Sequence, residues 1–123
     1  MTRPPDWPRP PVCLPHHLLH LPSEGARVTV AGLVLVRQRP GTAKGVIFLT
    51  LEDEFGVCNV VIWQAIYQRF RRAVIAGRLL RVTGRVQRHA GVTHVVAEGV
   101  EDISGMLDDL VRLHEPVRAA DQP

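Results

Sequence analysis

The fold is decided by two apolar runs, Val46-Ile-Phe-Leu-Thr-Leu-Glu52 and Val57-Cys-Asn-Val-Val-Ile-Trp63, which only the turn Asp53-Glu-Phe-Gly56 separates. Both runs are short and rich in β-branched and other apolar residues, and each has an apolar residue at every second position of one face, which predicts two strands. The glycine at the end of the turn lets the chain reverse its direction. We therefore expect a β-hairpin in the middle of the chain.

The hydrophobic period changes after this hairpin. From Gln64 to Ile75 apolar residues recur every three or four positions and arginines occupy other positions, which predicts one amphipathic helix. Gly77 follows as the expected C′ residue that ends the helix. Alternation then resumes in Arg78-Leu-Leu-Arg-Val-Thr-Gly-Arg-Val-Gln-Arg88, which predicts a fourth strand.

Two further strands flank this central region. The first strand is expected at Arg27-Val-Thr-Val-Ala-Gly-Leu-Val-Leu-Val36, and the fifth extends from Val92 to Ile103. The segment from Arg37 to Gly45 contains Pro-Gly and a further glycine, which predicts a loop. A short final helix, capped by Ser104, is expected to reach Leu113.

Five strands with one helix between the third and the fourth are the element order of an OB-fold barrel. Gly32 and Gly84 lie inside predicted strands and favour this interpretation, because a small closed barrel bends its strands steeply. An SH3-like barrel is the nearest alternative, but it normally lacks a full helix at that point. We predict an all-β, five-stranded OB fold over residues 25–104, between a Pro-rich lead-in at 1–24 and a short helix with a flexible tail at 105–123.

Positive charge is concentrated in the middle of the chain. The 123 residues carry a net charge of +3, but the segment from residue 37 to residue 89 has ten basic residues and only three acids. Lys44 is the single lysine. Arginine pairs with phosphate through a planar guanidinium group and stacks on bases, so the composition mildly favours a nucleic-acid partner. A high-GC genome that encodes arginine in place of lysine explains the same bias.

No membrane or export signal is present in the composition. No apolar stretch approaches the ~20 residues that span a bilayer, and the Pro-rich start lacks the apolar core of a signal peptide. We therefore expect a cytoplasmic protein without membrane contact.

The sequence gives little support for a catalytic site or a metal site. Cys13 and Cys58 form no motif, and the histidines at 16, 17 and 20 have no standard zinc spacing with Cys13. The three acids at 52–54 lack the second set of carboxylates that a two-metal site needs. We expect no catalytic site, no metal and no cofactor.

Strand parity predicts which side chains face the solvent. In the second, third and fourth strands the sets that begin with Ile47, Cys58 and Leu80 are expected to point inward. The outward positions are Phe48, Thr50, Glu52, Asn59, Val61, Trp63, Arg81, Thr83, Arg85 and Gln87. Trp63 and Tyr67, where the third strand passes into the helix, are expected to be packing residues.

An OB fold binds oligonucleotides on its second and third strands and on the loops after the first and fourth strands. On that surface Phe48 would stack on a base, and Asn59 would hydrogen-bond a base edge. The predicted nucleic-acid-binding residues are Arg37, Arg39, Lys44, Phe48, Asn59, Arg85, Arg88 and His89. The arginines at 69, 71 and 72 are expected to form a solvated helix face, or a contact for a partner protein or distal nucleic acid.

A resemblance to a known family is carried by the run from Val30 to Glu54, which includes Arg37-Gln-Arg-Pro-Gly-Thr-Ala-Lys44. This run resembles the C-terminal OB domain of C-family bacterial DNA polymerases, and is most similar to the error-prone, translesion branch related to the replicative alpha subunit. The segments Gly56–Trp63, Leu79–Arg88 and His94–Ala97 fit the same pattern, so the resemblance covers roughly residues 25 to 104.

The resemblance implies a domain that holds single-stranded template DNA for a polymerase of DNA replication, DNA repair and the SOS response. The palm, the fingers and the catalytic aspartates of that family have no counterpart in this chain, so we expect no enzyme activity from it alone. The implied partners are single-stranded DNA, the remainder of a polymerase and its accessory (mutasome) proteins.

Two other functions fit the same residues. An RNA-binding OB module, resembling the anticodon-binding domain of class II aminoacyl-tRNA synthetases, would use the hairpin and loops to splay and stack bases. A protein-interaction barrel would dock a partner on its basic helix face. Salt dependence of binding separates this barrel from both nucleic-acid functions, and competition between DNA and RNA separates those two.

Overall fold

The alternating segments of the sequence form five strands within two residues of the predicted bounds. The computed structural model describes residues 13–39 and 45–109. The strands are β1 (Arg27–Gln38), β2 (Ile47–Asp53), β3 (Gly56–Ile62), β4 (Leu79–His89) and β5 (Val92–Asp102). Helices α1 (Gln64–Arg69) and α2 (Arg71–Ala76) lie between β3 and β4, and a 3₁₀ helix (His16–Leu18) precedes β1. Within the described ranges, no helix has the length and apolar character needed to cross a membrane.

The five strands close into a barrel in the order β1-β2-β3-β5-β4. Neighbouring strands are antiparallel, except that β3 and β5 run parallel. β1 belongs to both sides of the barrel, because its first half pairs with β4 and its second half with β2. This topology, with the helical connection between β3 and β4, confirms the predicted OB fold.

The interior of the barrel is filled by the side chains that strand parity assigned to it. Leu49 and Leu51 of β2 and Val60 and Ile62 of β3 have almost no solvent exposure. The residues between them are more exposed, except Val61, which is buried although parity assigns it to the outward side. The predicted inward set is therefore confirmed for the hairpin, and the predicted outward residues are the more exposed ones except for Val61.

β1 bends where it passes from β4 to β2. Leu33 marks the change of partner, since it pairs with Leu79 of β4 and with Glu52 of β2. At the preceding Gly32, a Cβ atom would lie 2.7 Å from the carbonyl oxygen of Glu52. Only glycine lets the two backbones approach so closely, which agrees with the bend predicted at this position.

The predicted single helix is wrong in one respect, because it is divided at Phe70. This residue has φ −118° and ψ 31°, so α1 ends and α2 begins there. Ile66, Phe70 and Val74 nevertheless all pack in or against the core at four-residue intervals. The apolar spacing continues across the break, and periodicity alone could not reveal it.

Gly77 ends α2 for a reason other than the predicted one. It has φ −66° and ψ 134°, which are ordinary extended values rather than a left-handed conformation. A Cβ atom at this position would lie 2.6 Å from the carbonyl oxygen of Ala73 and would overlap the side chain of Leu80. The glycine therefore makes room for the helix end against the start of β4.

The segment before β1 packs against the barrel. Leu19 is buried in the core, and Leu14 packs against that core. The N–H of Leu14 also donates to the carbonyl oxygen of Thr29 in β1 at 2.7 Å. Residues 13–24 of the expected lead-in thus join the folded unit, and residues 1–12 lie outside the described residues.

Ser104 has a role other than the predicted helix cap. Its Oγ accepts hydrogen bonds from the N–H groups of Arg78 at 2.9 Å and Leu79 at 3.2 Å, and donates to the carboxylate of Asp102. Hydrogen bonds from the Ser104 hydroxyl and backbone N–H lower the pKa of Asp102. A helix begins at Gly105, and its expected continuation after residue 109 lies outside the described residues.

The carboxylate of Asp53 holds the β2–β3 turn and fastens the 3₁₀ helix to it. Oδ1 accepts hydrogen bonds from the N–H groups of Phe55 at 2.8 Å and Gly56 at 3.0 Å. Oδ2 accepts a hydrogen bond from the N–H of His16 at 2.8 Å. One side chain therefore satisfies three backbone donors from two segments.

Replacement of Asp53 by alanine is expected to lower the free energy of unfolding by about 2 kcal/mol. Hydrogen bonds to a charged acceptor contribute ~1.5–3 kcal/mol, and water replaces part of this at an exposed turn. Urea unfolding measures the effect. The matched control is Glu52→Ala on the same hairpin, for which we expect a change below about 0.5 kcal/mol. Equal losses in the two variants would contradict the role of Asp53.

Candidate nucleic-acid interface

The outward side chains of β1, β2 and β3 form a surface that we call the open face. Cross-strand pairing arranges them in two rows, both of which continue onto β5 and β4. The row nearer the β1–β2 loop consists of Gln38, Phe48, Val61, Val96 and Arg85. The next row consists of Val36, Thr50, Asn59, His94 and Gln87.

Two of the predicted site residues lie in the middle of the open face. Phe48 of β2 is half-buried and lies between Gln38 and Val61. Asn59 of β3, also half-buried, pairs with His94 in the next row. A partly accessible aromatic ring and a nearby amide are the groups that stack on a nucleobase and hydrogen-bond its edge.

A β-bulge in β1 enlarges the apolar part of the open face. Val34 and Val36 are paired with β2, whereas Leu35 between them has no partner in that strand pair. Leu35 is 50% exposed and Val36 is 43% exposed. The sequence could not show this bulge, because every residue from Leu33 to Val36 is apolar and inward and outward positions look alike.

The prediction that Arg37 belongs to a loop is wrong. Residue 37 lies in β1 after the bulge and pairs with Leu49, whose side chain points inward. The Arg37 Nε donates to the carbonyl oxygen of Val74 at 2.7 Å, and its guanidinium group also donates to Gly77. Arg37 thereby satisfies carbonyl groups at the C-terminal end of α2, and the structure turns it away from the open face.

Arg39 directly follows Gln38, the last residue of β1, where the β1–β2 loop begins. Its side chain is exposed, and its guanidinium carbon lies 4.8 Å from the centroid of the Tyr67 ring. Tyr67 packs against the core as expected. This cation–π contact orients the guanidinium group without neutralising its charge. Lys44, the other cation predicted in this loop, lies outside the described residues.

The candidates of the fourth strand are partly engaged by protein groups. The Nε of Arg85 donates to the carboxylate of Glu98 at 3.2 Å. The guanidinium group of Arg88 donates to two carbonyl groups of the segment before β1, at 2.7 and 3.0 Å, and thereby fastens that segment to the barrel. His89 is exposed at the end of β4, beside the β4–β5 turn.

Charge is distributed unevenly along the open face. Arg39 provides a positive charge at the loop end, whereas Glu52 is exposed at the hairpin end of β2. Outside the open face, Arg81 of β4 is paired with Glu101 of β5. A polyanion would therefore be attracted to the loop end of the open face.

A second basic surface lies on the helices. The side chains of Arg69, Arg71 and Arg72 are exposed, as expected, and with Ile75 and Ala76 they line an open groove. The guanidinium carbon of Arg69 also lies 5.2 Å from the centroid of the Phe70 ring. These charges are on α1 and α2, whereas the open face is formed by β1, β2 and β3.

The expectation that Trp63 packs in the protein is wrong, because its side chain is 54% exposed. The residue directly follows the buried Ile62, and its backbone is extended, with φ −76° and ψ 159°. It therefore continues the outward parity of β3. The outward position that strand parity predicts for Trp63 is therefore confirmed.

No three His, Cys, Asp or Glu side chains of the described ranges are placed to hold a metal ion. His16 is buried, and its Nδ1 lies 3.1 Å from the carbonyl oxygen of Gly56. This ring therefore joins the 3₁₀ helix to the hairpin.

Burial in the barrel raises the pKa of the Cys58 thiol to about 12, and the negative charge of Asp53 adds to the effect. About one molecule in 10⁴ then carries the reactive thiolate at pH 8. We expect a Cys13→Ser variant to resist iodoacetamide while folded and to react readily in urea. Labelling of the folded variant at the rate of the unfolded one would contradict this prediction.

A five-stranded OB barrel that presents an aromatic ring and an amide on its open face, with a cation at the adjoining end of β1, has the features of a small nucleic-acid-binding domain. The sequence profile of the OB-fold nucleic acid binding domain matches residues 28–103. The chain belongs to this family.

Curated proteins with higher sequence identity show to which proteins the chain is related. The chain is 64% identical over 84 residues to an error-prone DNA polymerase of Ruegeria pomeroyi, and 57% identical over 88 residues to error-prone DNA polymerase 1 of Rhizobium meliloti. These alignments cover 68% and 72% of this chain but only 8% of each polymerase. The resemblance found in the sequence is thus confirmed, and the chain spans a small part of the length of these relatives.

Solved structures agree in fold. Asparaginyl-tRNA synthetase from Pyrococcus horikoshii has 30% sequence identity and a TM-score of 0.54, with 65% of this chain and 20% of that chain covered. The S. pombe Stn1-ten1 complex has 17% identity and a TM-score of 0.58, with 83% and 74% covered. The second likeness is one of fold alone.

Proposed function

We propose that this domain binds single-stranded DNA and serves as the template-holding part of an error-prone DNA polymerase. The observation that carries the proposal is the identity of 57–64% to error-prone DNA polymerases. The partners that follow are single-stranded DNA, the remainder of a polymerase and its accessory (mutasome) proteins.

The open face supports this function by its chemistry. The ring of Phe48 offers a stacking platform that accepts any base, because every base has a π-face. Asn59 supplies a donor and an acceptor to a base edge, and Arg39 supplies charge for a phosphate at the loop end. A base must leave a duplex to reach such groups, so a single strand is the natural ligand.

The polymerase relatives favour DNA over RNA. RNA binding remains the alternative that the synthetase neighbour illustrates, since that protein shares the fold at 30% identity. The relatives with much higher identity are named as DNA polymerases. We therefore expect the domain to bind a DNA strand more tightly than an RNA strand of matched composition.

Fluorescence anisotropy with labelled dT and U oligomers of about 15 nucleotides tests this function at several salt concentrations. Contact with about four phosphates predicts a slope of roughly −3 when log K is plotted against log salt. We expect the dT oligomer to bind more tightly than the U oligomer. Absence of binding by folded protein at low salt would overturn the proposal, and preferential binding of U would support the RNA alternative instead.

A further inference from the structure

Trp63 is an exposed aromatic residue that is not among Arg39, Phe48 and Asn59, the residues assigned to the single-strand site. Its exposed fraction of 54% equals that of Phe55 at the hairpin turn. Phe55 has an aromatic neighbour, since its ring centroid lies 4.4 Å from that of His17. A tryptophan buries a large apolar area when it packs, so half-exposure marks a ring that is available for a contact.

The strand register places Trp63 close to Phe48. Phe48 pairs directly with Val61, which precedes Trp63 by two residues. Trp63 is therefore a diagonal neighbour of Phe48 on the same side of the hairpin. Such neighbours are about 7–8 Å apart, a separation within reach of aromatic side chains.

The two residues that flank the undescribed part of the β1–β2 loop, Arg39 and Gly45, lie beside the start of α1, which follows Trp63. A Cβ atom on Gly45, near the end of the loop, would lie 2.8 Å from the side chain of Gln64, the residue after Trp63. At the start of the loop, Arg39 lies over Tyr67, one turn further along α1. The two aromatic rings therefore lie at the positively charged end of the open face, and Glu52 lies at the other end.

We propose that Phe48 and Trp63 form a two-ring stacking site for neighbouring bases of one DNA strand, with Arg39 beside it for a phosphate. This inference rests on the proposed function and adds a location to it. The DNA strand crosses the β2–β3 hairpin at the end next to the β1–β2 loop rather than at the end that carries Glu52. Stacking on two π-faces is tolerant of sequence, as a template-holding domain requires.

The chain offers an internal probe of this site. It contains two tryptophans, Trp7 and Trp63, so a Trp7→Phe variant leaves Trp63 as the only tryptophan. We expect its fluorescence to be quenched as a dT oligomer is added, in parallel with the anisotropy of a labelled oligomer. A base stacked on the indole ring produces that quenching directly.

Affinity measurements on three variants complete the test. Trp63→Leu is expected to weaken dT binding by roughly 5- to 150-fold, the range for loss of one stacking ring. Trp63→Phe keeps an aromatic ring and should retain most of the affinity. Phe55→Leu removes an equally exposed ring from the opposite end of the hairpin, and should change the affinity by less than about twofold.

The outcomes distinguish this inference from the proposed function. Absence of dT binding by the wild-type chain would overturn the proposed function itself. Binding that depends on Phe48, with unchanged Trp63 fluorescence and unchanged affinity in Trp63→Leu, would overturn the stacking site alone. Such a result would leave Trp63 to a protein contact elsewhere in a polymerase.

Discussion

A Gly84→Ala variant is expected to lose about 3 kcal/mol of free energy of unfolding, which is a large part of the stability of a small domain. Gly84 lies in β4 next to a register shift and pairs with Ala97 of β5. A Cβ atom there would lie 2.8 Å from the carbonyl carbon of Val96 and 3.0 Å from the Cα of Ala97, and it would overlap the Val96 oxygen. These are backbone atoms, so no rotamer change relieves the overlap.

The matched control for this variant is Gly99→Ala in β5. Gly99 pairs with Thr83, the residue before Gly84, and the nearest atom to an added Cβ is the Phe70 Cζ at 4.0 Å. We expect its stability to change by less than about 1 kcal/mol. Urea unfolding of both variants gives the comparison. Equal stability of the two would show that β4 and β5 do not need the close approach at Gly84.

A Phe48→Ala variant is expected to bind a dT oligomer about 1–3 kcal/mol more weakly than the wild type, because one stacking ring is lost. The salt dependence should remain unchanged, since no phosphate contact is removed. Arg39→Ala should behave differently and reduce the log–log slope by about 0.7, the contribution of one phosphate on a single strand. The two variants therefore separate stacking from charge.

Val57→Ala provides the control for these binding measurements. Val57 is 54% exposed and pairs with Glu52 at the hairpin end of the same strands. Its replacement should leave the affinity within about twofold of the wild type. Circular dichroism of each variant confirms that the barrel is folded. If Phe48→Ala binds as tightly as Val57→Ala, the open face is not the binding surface.

Much of the fold could be predicted because each strand carries its own local signal. Alternation identified the hairpin at residues 46–63, and the change of period identified the helical region. The break at Phe70 could not be seen, since Ile66, Phe70 and Val74 keep the helical spacing across it. A side chain at position 77 would overlap Leu80 and the carbonyl oxygen of Ala73. These contacts exist only in the folded chain, so sequence spacing could not reveal why residue 77 is glycine.

The site was predicted less completely, because charge alone does not show what a guanidinium group contacts. Phe48 and Asn59 lie on the outward side of β2 and β3, where parity placed them. Arg37 was misplaced because Pro-Gly and the further glycine indicated a loop from residue 37, whereas β1 extends to Gln38 and Arg37 binds carbonyl groups of α2. Arg88 binds carbonyl groups of a segment more than sixty residues earlier, a contact that only the folded chain reveals.

Mapping of amide chemical shifts during titration with a dT oligomer tests the central claim most directly. The method reports both possible surfaces at once, because the open face and the basic helices are formed by different segments of the chain. We predict that the largest shifts fall on Arg39, Phe48 and Asn59 and on their neighbours in β1–β3. Shifts confined to Arg69, Arg71 and Arg72 on the helices, or no shifts at low salt, would contradict the assignment of the open face as the single-strand site.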